Sequence, residues 1–414
     1  MTTQVCETSE PRCAIQQAIQ QASQQQTANW SGVLAMSLCV FALVASEFMP
    51  VSLLTPIAAD LNVSEGLVGQ GIAISGFFAV LTSLSIASIA KDTDRKSLLL
   101  GLISLMLVSG IVIAYAPNYA VYMLGRSLIG VVIGGFWSLS GASAIRLVPT
   151  EKIPKALAIF NGGNALAMVI AAPLGSYLGA HIGWRGAFFG LVPVALIAFV
   201  WMWFSLPAMK PEKRVAGSAN VFSLLNKPLV RLGMLAIVLF FMGQFSLFTY
   251  VRPFLETAIH VEGNNLSFIL LVMGVAGFMG TLLVSVFLNN HLYRTLIFIP
   301  LVMAVIALAL ILFSDSSVTV TTLLALWGGV ATVAPVAWWT WLARTIPDDS
   351  EVGGGLMVAV IQLAIGLGST LGGVLFDFNG YHSTFLLSAT LLAAAALLAY
   401  WTQRSTPEPL LHAQ

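Results

Sequence analysis

Residues 31–57 read SGVLAMSLCVFALVASEFMPVSLLTPI, a run with one side chain of the charged types, Glu47, and two prolines, Pro50 and Pro56. At a rise of about 1.5 Å per residue, a helix of this length crosses the roughly 30 Å hydrocarbon core of a bilayer. Its apolar residues are continuous rather than alternating, which excludes a strand of a transmembrane barrel. The rest of the chain repeats the pattern. The 414 residues are 58% hydrophobic and 8% charged, with a mean hydropathy of +0.92. Soluble domains carry about a quarter charged residues. The chain therefore reads as an integral membrane protein rather than a soluble enzyme, with length for about twelve spans of about 20 apolar residues plus a short loop.

Breaks at Pro, Gly, Asn and charge clusters predict helices over 31–57, 66–90, 97–115, 120–145, 153–179, 186–206, 229–256, 265–288, 294–313, 319–343, 353–376 and 383–402. The longest polar interruption, Pro207 to Pro228 with Lys210, Glu212, Lys213, Arg214 and Lys227, divides these six and six. The expected organisation is a disordered cytoplasmic tail (1–29), a six-helix bundle (30–206), a cytoplasmic linker (207–228), a second six-helix bundle (229–403) and a cytoplasmic tail (404–414). The tail rests on its Gln- and Ser-rich composition, without the basic leader and cleavage site of a signal peptide. The halves echo each other, Glu47-Phe-Met-Pro50 against Tyr250-Val-Arg-Pro253 and Ala171–Gly179 against Gly366–Gly373, as in a duplicated transporter.

Lys and Arg test the span count, because they concentrate in cytoplasmic loops. Fifteen of the eighteen fall on one side: Arg12, Lys91, Arg95, Lys96, Arg146, Lys152, Lys155, Lys210, Lys213, Arg214, Lys227, Arg231, Arg294, Arg344 and Arg404. The other side holds Arg185, and Arg126 and Arg252 fall within apolar segments. Both termini are expected in the cytoplasm, with a bacterial inner membrane as the site. Net charge is +1, and no basic run with interleaved aromatics points to nucleic acid. Cys6, Cys13 and Cys39 lack metal-ligand spacing and read as reduced thiols. Neither a phosphate-binding G-x-x-x-x-G-K-[ST] loop nor H-E-x-x-H occurs, so neither ATP nor a metal or other cofactor is expected to drive the chemistry. All five histidines lie in loops or tails, away from a proton path.

The polar groups inside spans carry the functional reading. Glu47 lies about ten residues, or about 15 Å, from the outer end of helix one, where a charge must be protonated, paired or reached by water. Proton coupling is the favoured role, and a hydrogen bond to a neighbouring helix is the alternative. Arg126 lies at comparable depth on helix four. It either tunes Glu47 or acts structurally, as a static ion pair or by stapling helix four to backbone carbonyls. Arg252 reads as an outer gate or anion contact, or as a snorkelling side chain. Asn161, Asn164, Gln244, Tyr250 and Gln362 could hydrogen-bond a neutral solute or join helices. Trp137 and Trp338 offer flat faces for a ring, whereas Trp341, three residues before Arg344, reads as an interfacial belt residue. Pro50, Gly130, Gly134, Gly163, Pro173 and Gly175 read as close-packing and hinge positions.

Several of these motifs carry a family resemblance. Gly125-Arg126-Ser-Leu-Ile-Gly130-Val-Val-Ile-Gly134-Gly135, together with the six-plus-six layout, resembles the major facilitator superfamily, whose corresponding Arg is implicated in proton transfer. Gly163 followed by Ala172-Pro173-Leu-Gly175 resembles its antiporter motif, with Ala172 in place of the usual glycine. The loop Ala87-Ser-Ile-Ala-Lys91-Asp-Thr-Asp94-Arg95-Lys96 departs from the family pattern, with Lys91 where Asp is usual. Glu47-Phe-Met-Pro50 with Val63-Ser-Glu-Gly66 is similar to the drug and proton antiporter branch. Gly134-Gly-Phe-Trp137, Arg146-Leu-Val-Pro149, Gly183-Trp-Arg185, Gly243-Gln-Phe245 and Ala359–Ala364 are similar to bacterial purine ribonucleoside exporters. Sugar-efflux relatives share the Glu47 run and Phe248-Thr-Tyr250.

The resemblance implies an all-α fold of twelve transmembrane helices in two pseudo-symmetric six-helix bundles. It also implies a monomeric secondary exporter of small neutral solutes, inosine or guanosine type, exchanged for protons by alternating access. Glu47 and Arg126 would handle the proton; Trp137, Asn161, Asn164, Gln244, Tyr250, Arg252, Trp338 and Gln362 would line the solute site. The alternatives are sugar or drug export on the same fold, and a solute-sensing receptor or channel.

Overall fold

Gly183 and Gly380 decide how the spans are counted. The computed structural model describes residues 28–89, 93–209, 221–261, 263–288, 292–346 and 350–406. It contains ten long apolar helical runs, two of which, Thr150–Ser205 and Gly353–Arg404, are 56 and 52 residues long. Either would measure about 80 Å as a straight helix, far more than a bilayer spans. Each turns back at one glycine, Gly183 (φ 75°, ψ 162°) or Gly380 (φ 67°, ψ −163°). A side chain at such a positive φ would be strained, so the reversal needs glycine. The runs are thus two spans each, and the total is twelve, as expected, with tighter corners than the six-residue loops predicted there.

The first six spans are α1 (Trp30–Leu61), α2 (Glu65–Ile89), α3 (Arg95–Ala114), α4 (Tyr119–Ile145), and α5 and α6, the two arms of Ile153–Ser205. The second six are α7 (Pro228–Phe248, continued by Val251–Ala258), α8 (Gly263–Leu288), α9 (Leu292–Leu312) and α10 (Ser317–Ala331, continued by Val333–Thr345). They end with α11 and α12, the two arms of Ser350–Arg404. Side-chain caps start several of them, Asn29 for α1, Asp94 for α3, Asn118 for α4 and Ser316 for α10, by accepting the otherwise unpaired amides of the first turn. The helix starting at Trp30 and the helix ending at Arg404 define a tail face; the opposite side is the far face.

The pseudo-symmetry becomes explicit once Gly183 is set on Gly380. The same shift of 197 positions superposes Gly175 on Gly372 and Pro56 on Pro253. Gly175 packs on Met49 and Ser52 of α1, and Gly372 packs on Ser246 of α7, the equivalent contact. This corrects the register read from sequence, which set Pro50 against Pro253. In the first half Gly130 and Gly134 press on the backbone of Ser75 and Ala79 in α2, and Gly163 presses on Ser37 in α1. At each of these three positions an added Cβ would lie under 3 Å from backbone atoms, so the helices approach there more closely than a side chain would allow. Pro50, Pro56 and Pro173 all lie inside helices.

The two bundles meet along α2 with α11, α5 with α8, and α1 with the end of α7. Toward the far face, Gly66 lies against Gly373, and Gly69 lies against the ring of Tyr250. Gly274 of α8 lies against Val169 of α5, and Ser267 donates to Ser176 across the same seam at 2.9 Å. Toward the tail face, Gly162 of α5 and Gly355 of α11 face open space. The Lys91 substitution, most of the tail predicted over 1–29 with Cys6 and Cys13, the cluster Lys210 to Arg214, and the end beyond residue 406 lie outside the described residues.

Candidate functional site

The site grows from a local consequence of Pro50. Proline has no N–H, so the carbonyl four residues earlier, on Ser46, lacks its helical donor in the middle of α1. Unsatisfied carbonyls are costly in hydrocarbon. Arg126 of α4 supplies the missing donor, with Nη1 2.9 Å from the Ser46 carbonyl. Its other nitrogens donate to the carbonyls of Gly71 (3.0 Å) and Glu47 (3.3 Å) and to Ser75 Oγ (3.1 Å). Arg126 is wholly buried and ties α4 to α1 and α2 within one half. These are the contacts of the backbone staple, one of the roles open from sequence. Arg126 and Glu47 do come together, but the hydrogen bond runs to the Glu47 main chain.

Glu47, only 4% exposed, points the other way, toward the second half. Gln362 of α11 donates from Nε2 to Glu47 Oε1 at 3.1 Å, a bond across the bundle interface. Gln362 Oε1 is buried without a partner, and so is Oε1 of Gln244 on α7. Next to Glu47, Phe48 stacks on Phe245 at 5.7 Å and meets the edge of Phe248 at 6.3 Å, so rings from both halves pack together. The carboxylate, the unpartnered Gln362 oxygen and the aromatic cluster are groups that a flat polar solute can use.

Pro56 repeats the Pro50 device nearer the far face. It frees the Ser52 carbonyl, and Arg252 Nη1 of α7 donates to it across the interface. Arg252 is held by Glu256, 2.8 Å from its Nε. Arg252 thus bridges the two bundles, with both of its contacts made to protein groups. Tyr250 is fully buried in the same seam, donating from its hydroxyl to the Ser369 carbonyl at 2.8 Å and stacking on Phe376 at 5.2 Å. Its hydroxyl proton is therefore engaged within the second half in this conformation.

The other expected residues scatter. Trp137 is half-buried, edge-on to Phe160 at 6.3 Å. Asn161 is exposed and donates to its own helix at Leu157 O, 2.9 Å. Asn164 is half-buried. Trp338 is buried in the core of the second half, edge-on to Trp341 at 5.6 Å. The belt expected at Trp341 is corrected: the residue is fully buried and its ring lies on Gly233, a glycine that leaves room for an indole. Trp339, beside them, is the exposed one.

Sequence reasoning missed Phe48 and Asp377. Asp377, at the far end of α11, accepts from Ser64 Oγ (2.6 Å) and from the Gly66 amide (3.0 Å), capping α2 of the other half. A carboxylate at a helix N-terminus is stabilised by the helix dipole. The signal was the Ser64-Glu65-Gly66 start of α2, but its partner is more than 300 residues away. No cluster of three or more metal-ligating side chains occurs among the described residues.

Comparison with known proteins agrees with this architecture. The profile of the Major Facilitator Superfamily matches residues 36–353. The chain is 61% identical over 384 residues to the "Transcription regulatory protein OpdE" of Pseudomonas aeruginosa, covering 92% of this chain and 96% of that protein. It is 38% identical over 379 residues to the "Purine ribonucleoside efflux pump NepI" of Salmonella typhimurium, covering 92% and 95%. Among solved structures, a bacterial homologue of the human lysosomal transporter Spinster, described as inward-facing and unoccupied, superposes with a TM-score of 0.74 at 15% identity, covering 91% of this chain and 97% of that one. A variant of the nucleoside transporter NupG gives 0.70 at 13%, covering 90% and 98%. Twelve apolar spans in two related bundles and the matching profile lead to one conclusion: the chain belongs to the Major Facilitator Superfamily and is a multi-pass membrane transporter rather than an enzyme.

Proposed function

We propose that the protein exports purine ribonucleosides of the inosine and guanosine type in exchange for protons, by alternating access between its two bundles. The observation that carries this reading is Glu47, a carboxylate buried in mid-span whose side chain bonds the opposite bundle through Gln362. An ionisable group there is costly and is kept where a proton or ion must be handled. Gln362 and Gln244 have free amide oxygens for solute N–H or O–H groups, and Phe48, Phe245 and Phe248 supply a wall for a base. The pump named for the Salmonella relative points to the same cargo.

In this reading Glu47 takes the external proton, and Arg126 holds α1 and α4 in register around it. Gln244, Gln362 and the phenylalanines contact the solute. Asn161, Asn164 and Trp137 line the tail-face approach, while Trp338 supports the site from behind. Tyr250 and Arg252 close the far face. The tail face is cytoplasmic, following the Lys and Arg distribution, and the membrane is the bacterial inner membrane. The protein works as a monomer, with residues 30–206 and 229–403 as its moving bodies and 207–228 as the linker.

The name of the Pseudomonas relative favours a second reading, a membrane protein whose activity changes transcription. An exporter that lowers the cytoplasmic level of an inducing solute would have that effect without touching DNA. Sugars are the next cargo to try. The test is radiolabelled inosine uptake into inside-out vesicles with an interior-acid gradient, wild type beside Glu47→Gln. Gradient-dependent accumulation lost in the variant supports the proposal. Absence of inosine movement in the wild type removes the cargo, and undiminished uptake by Glu47→Gln removes the proton site.

A further inference from the structure

Gln362 touches the other half of the molecule in two ways. Its side chain donates to Glu47 of α1, and its backbone carbonyl lies directly against Gly76 of α2. One turn further along, Gly366 packs on Ala73, so this stretch of α11 is seated on the first bundle by backbone contact. A purely structural amide buried at such a place would use both of its ends. Gln362 uses one, and its Oε1 is unpartnered.

That asymmetry matches the two states of a carboxyl group. Ionised, Glu47 only accepts, and the amide must present Nε2, as it does here. Protonated, Glu47 carries an O–H donor that needs an acceptor, which Oε1 becomes once the amide turns over. The first bond is charge-assisted and about twice as strong as the second. Facing groups from the other packed helices do not duplicate this. Helix α4 contributes Arg126, on the main-chain side of Glu47 with four acceptors of its own, and Tyr122 one turn earlier. Helix α2 contributes Ser75, bonded to Arg126, and α7 contributes Phe245 and Phe248 against neighbouring Phe48, together with Gln244, whose Oε1 is also unpartnered and whose amide makes no hydrogen bond to Glu47. Helix α5 presents small residues such as Gly163 and Gly175 to α1.

We propose that Gln362 is the positioning residue through which the protonation state of Glu47 reaches the second bundle, locking the empty, ionised carrier with its far face closed. The proposal rests on the proton reading of Glu47 given above. With Glu47 ionised and no solute, the bond holds α11 to α1. A proton weakens it, and a solute N–H can replace the amide on the carboxylate. Exchange requires this rule, because a carrier that reorients both empty-ionised and protonated conducts protons without cargo.

The test needs no knowledge of the solute. Purified protein is placed in liposomes with an internal pH dye, and collapse of an imposed pH gradient is followed without solute for wild type, Glu47→Gln, Gln362→Met and Gln362→Asn. Gln362→Met keeps the volume and loses the donor; Gln362→Asn keeps the amide but falls short of Glu47. The proposal expects solute-free proton leak about five-fold faster in both Gln362 variants, since losing a bond difference of about 1 kcal/mol changes a population by that factor. It also expects the leak to vanish when Glu47→Gln is added to either. Spin labels at Tyr115 and Asp315, exposed positions of the two halves on the far face, give a second measurement. In wild type their separation widens on acidification, and in the Gln362 variants it is wide at alkaline pH as well. If both variants leak no faster than wild type and keep its distance profile, the locking role is overturned. If Glu47→Gln leaks protons like a Gln362 variant, the proton reading of Glu47 falls instead.

Discussion

Two prolines of α1 create the same defect six residues apart, and the protein repairs them differently. Pro50 frees the Ser46 carbonyl at mid-membrane, and Arg126 of the same bundle fills it while holding three more acceptors. Pro56 frees the Ser52 carbonyl near the far face, and Arg252 of the opposite bundle fills it, steadied by Glu256. The deep carbonyl has no water to fall back on, so its donor has to be permanent. The shallow one can be hydrated when the bundles part, so its donor can leave. The same covalent device thus makes a rivet within a bundle at one depth and a latch between bundles at another.

Replacing the deep arginine should have the largest effect. Arg126→Leu removes the cation beside Glu47 and strands several buried acceptors, and should destabilise the protein by about 3–5 kcal/mol. Arg126→Lys should lie between, because one ammonium cannot span acceptors on α1 and α2 together. Thermal unfolding in detergent reads both, and a Leu variant as stable as wild type would break the rivet reading. Arg252→Leu should leave the melting temperature nearly unchanged and instead lower far-face closure by about 1–2 kcal/mol. The label pair at Tyr115 and Asp315 reports that shift; a lower melting point with unchanged closure would exchange the two roles.

Pro56→Ala sharpens the comparison, since it returns an N–H to the Ser52 carbonyl. The restored helical bond competes with Arg252, so closure should weaken by about 1 kcal/mol even as the helix itself becomes more regular. A tighter far face in this variant would show that proline shapes the helix path rather than the acceptor. Asp377→Asn should have the smallest effect. The amide oxygen can still accept from Gly66, and the amide nitrogen can donate to Ser64 Oγ where Asp377 accepted from it, so the main loss is the charge facing the α2 N-terminus, about 0.5 kcal/mol of closure. Salt should erase this difference if it is electrostatic.

The equivalent positions of the two halves carry different chemistry on matching backbones. At the register set by Gly183 and Gly380, Glu47 corresponds to Gln244 and Arg126 to Leu323. Glycine contacts recur in both halves, Gly175 on α1 and Gly372 on α7, whereas at these two pairs of positions the charged member belongs to the first half. Span count, the six-plus-six division and the small-residue faces were legible in the chain because hydrophobic length and close packing are local properties. Glu47 and Arg126 were legible as costly groups at similar depth. What each bonds to was not, because depth along a helix says nothing about rotation around it. Trp341 shows the limit: proximity to Arg344 suggested a membrane boundary, but the ring turns inward over Gly233.

By itself the sequence determined a twelve-span membrane protein, duplicated, with one acidic side chain in mid-span, since burial in lipid imposes apolar runs about 20 residues long and makes every charge within them conspicuous. Only the tertiary structure decided that Arg126 serves carbonyls rather than a carboxylate, that Glu47 reaches Gln362, and that Asp377 caps α2. Each of these depends on the rotation and register of helices far apart in the chain, which are set by the mutual packing of whole faces and leave no mark at any single position.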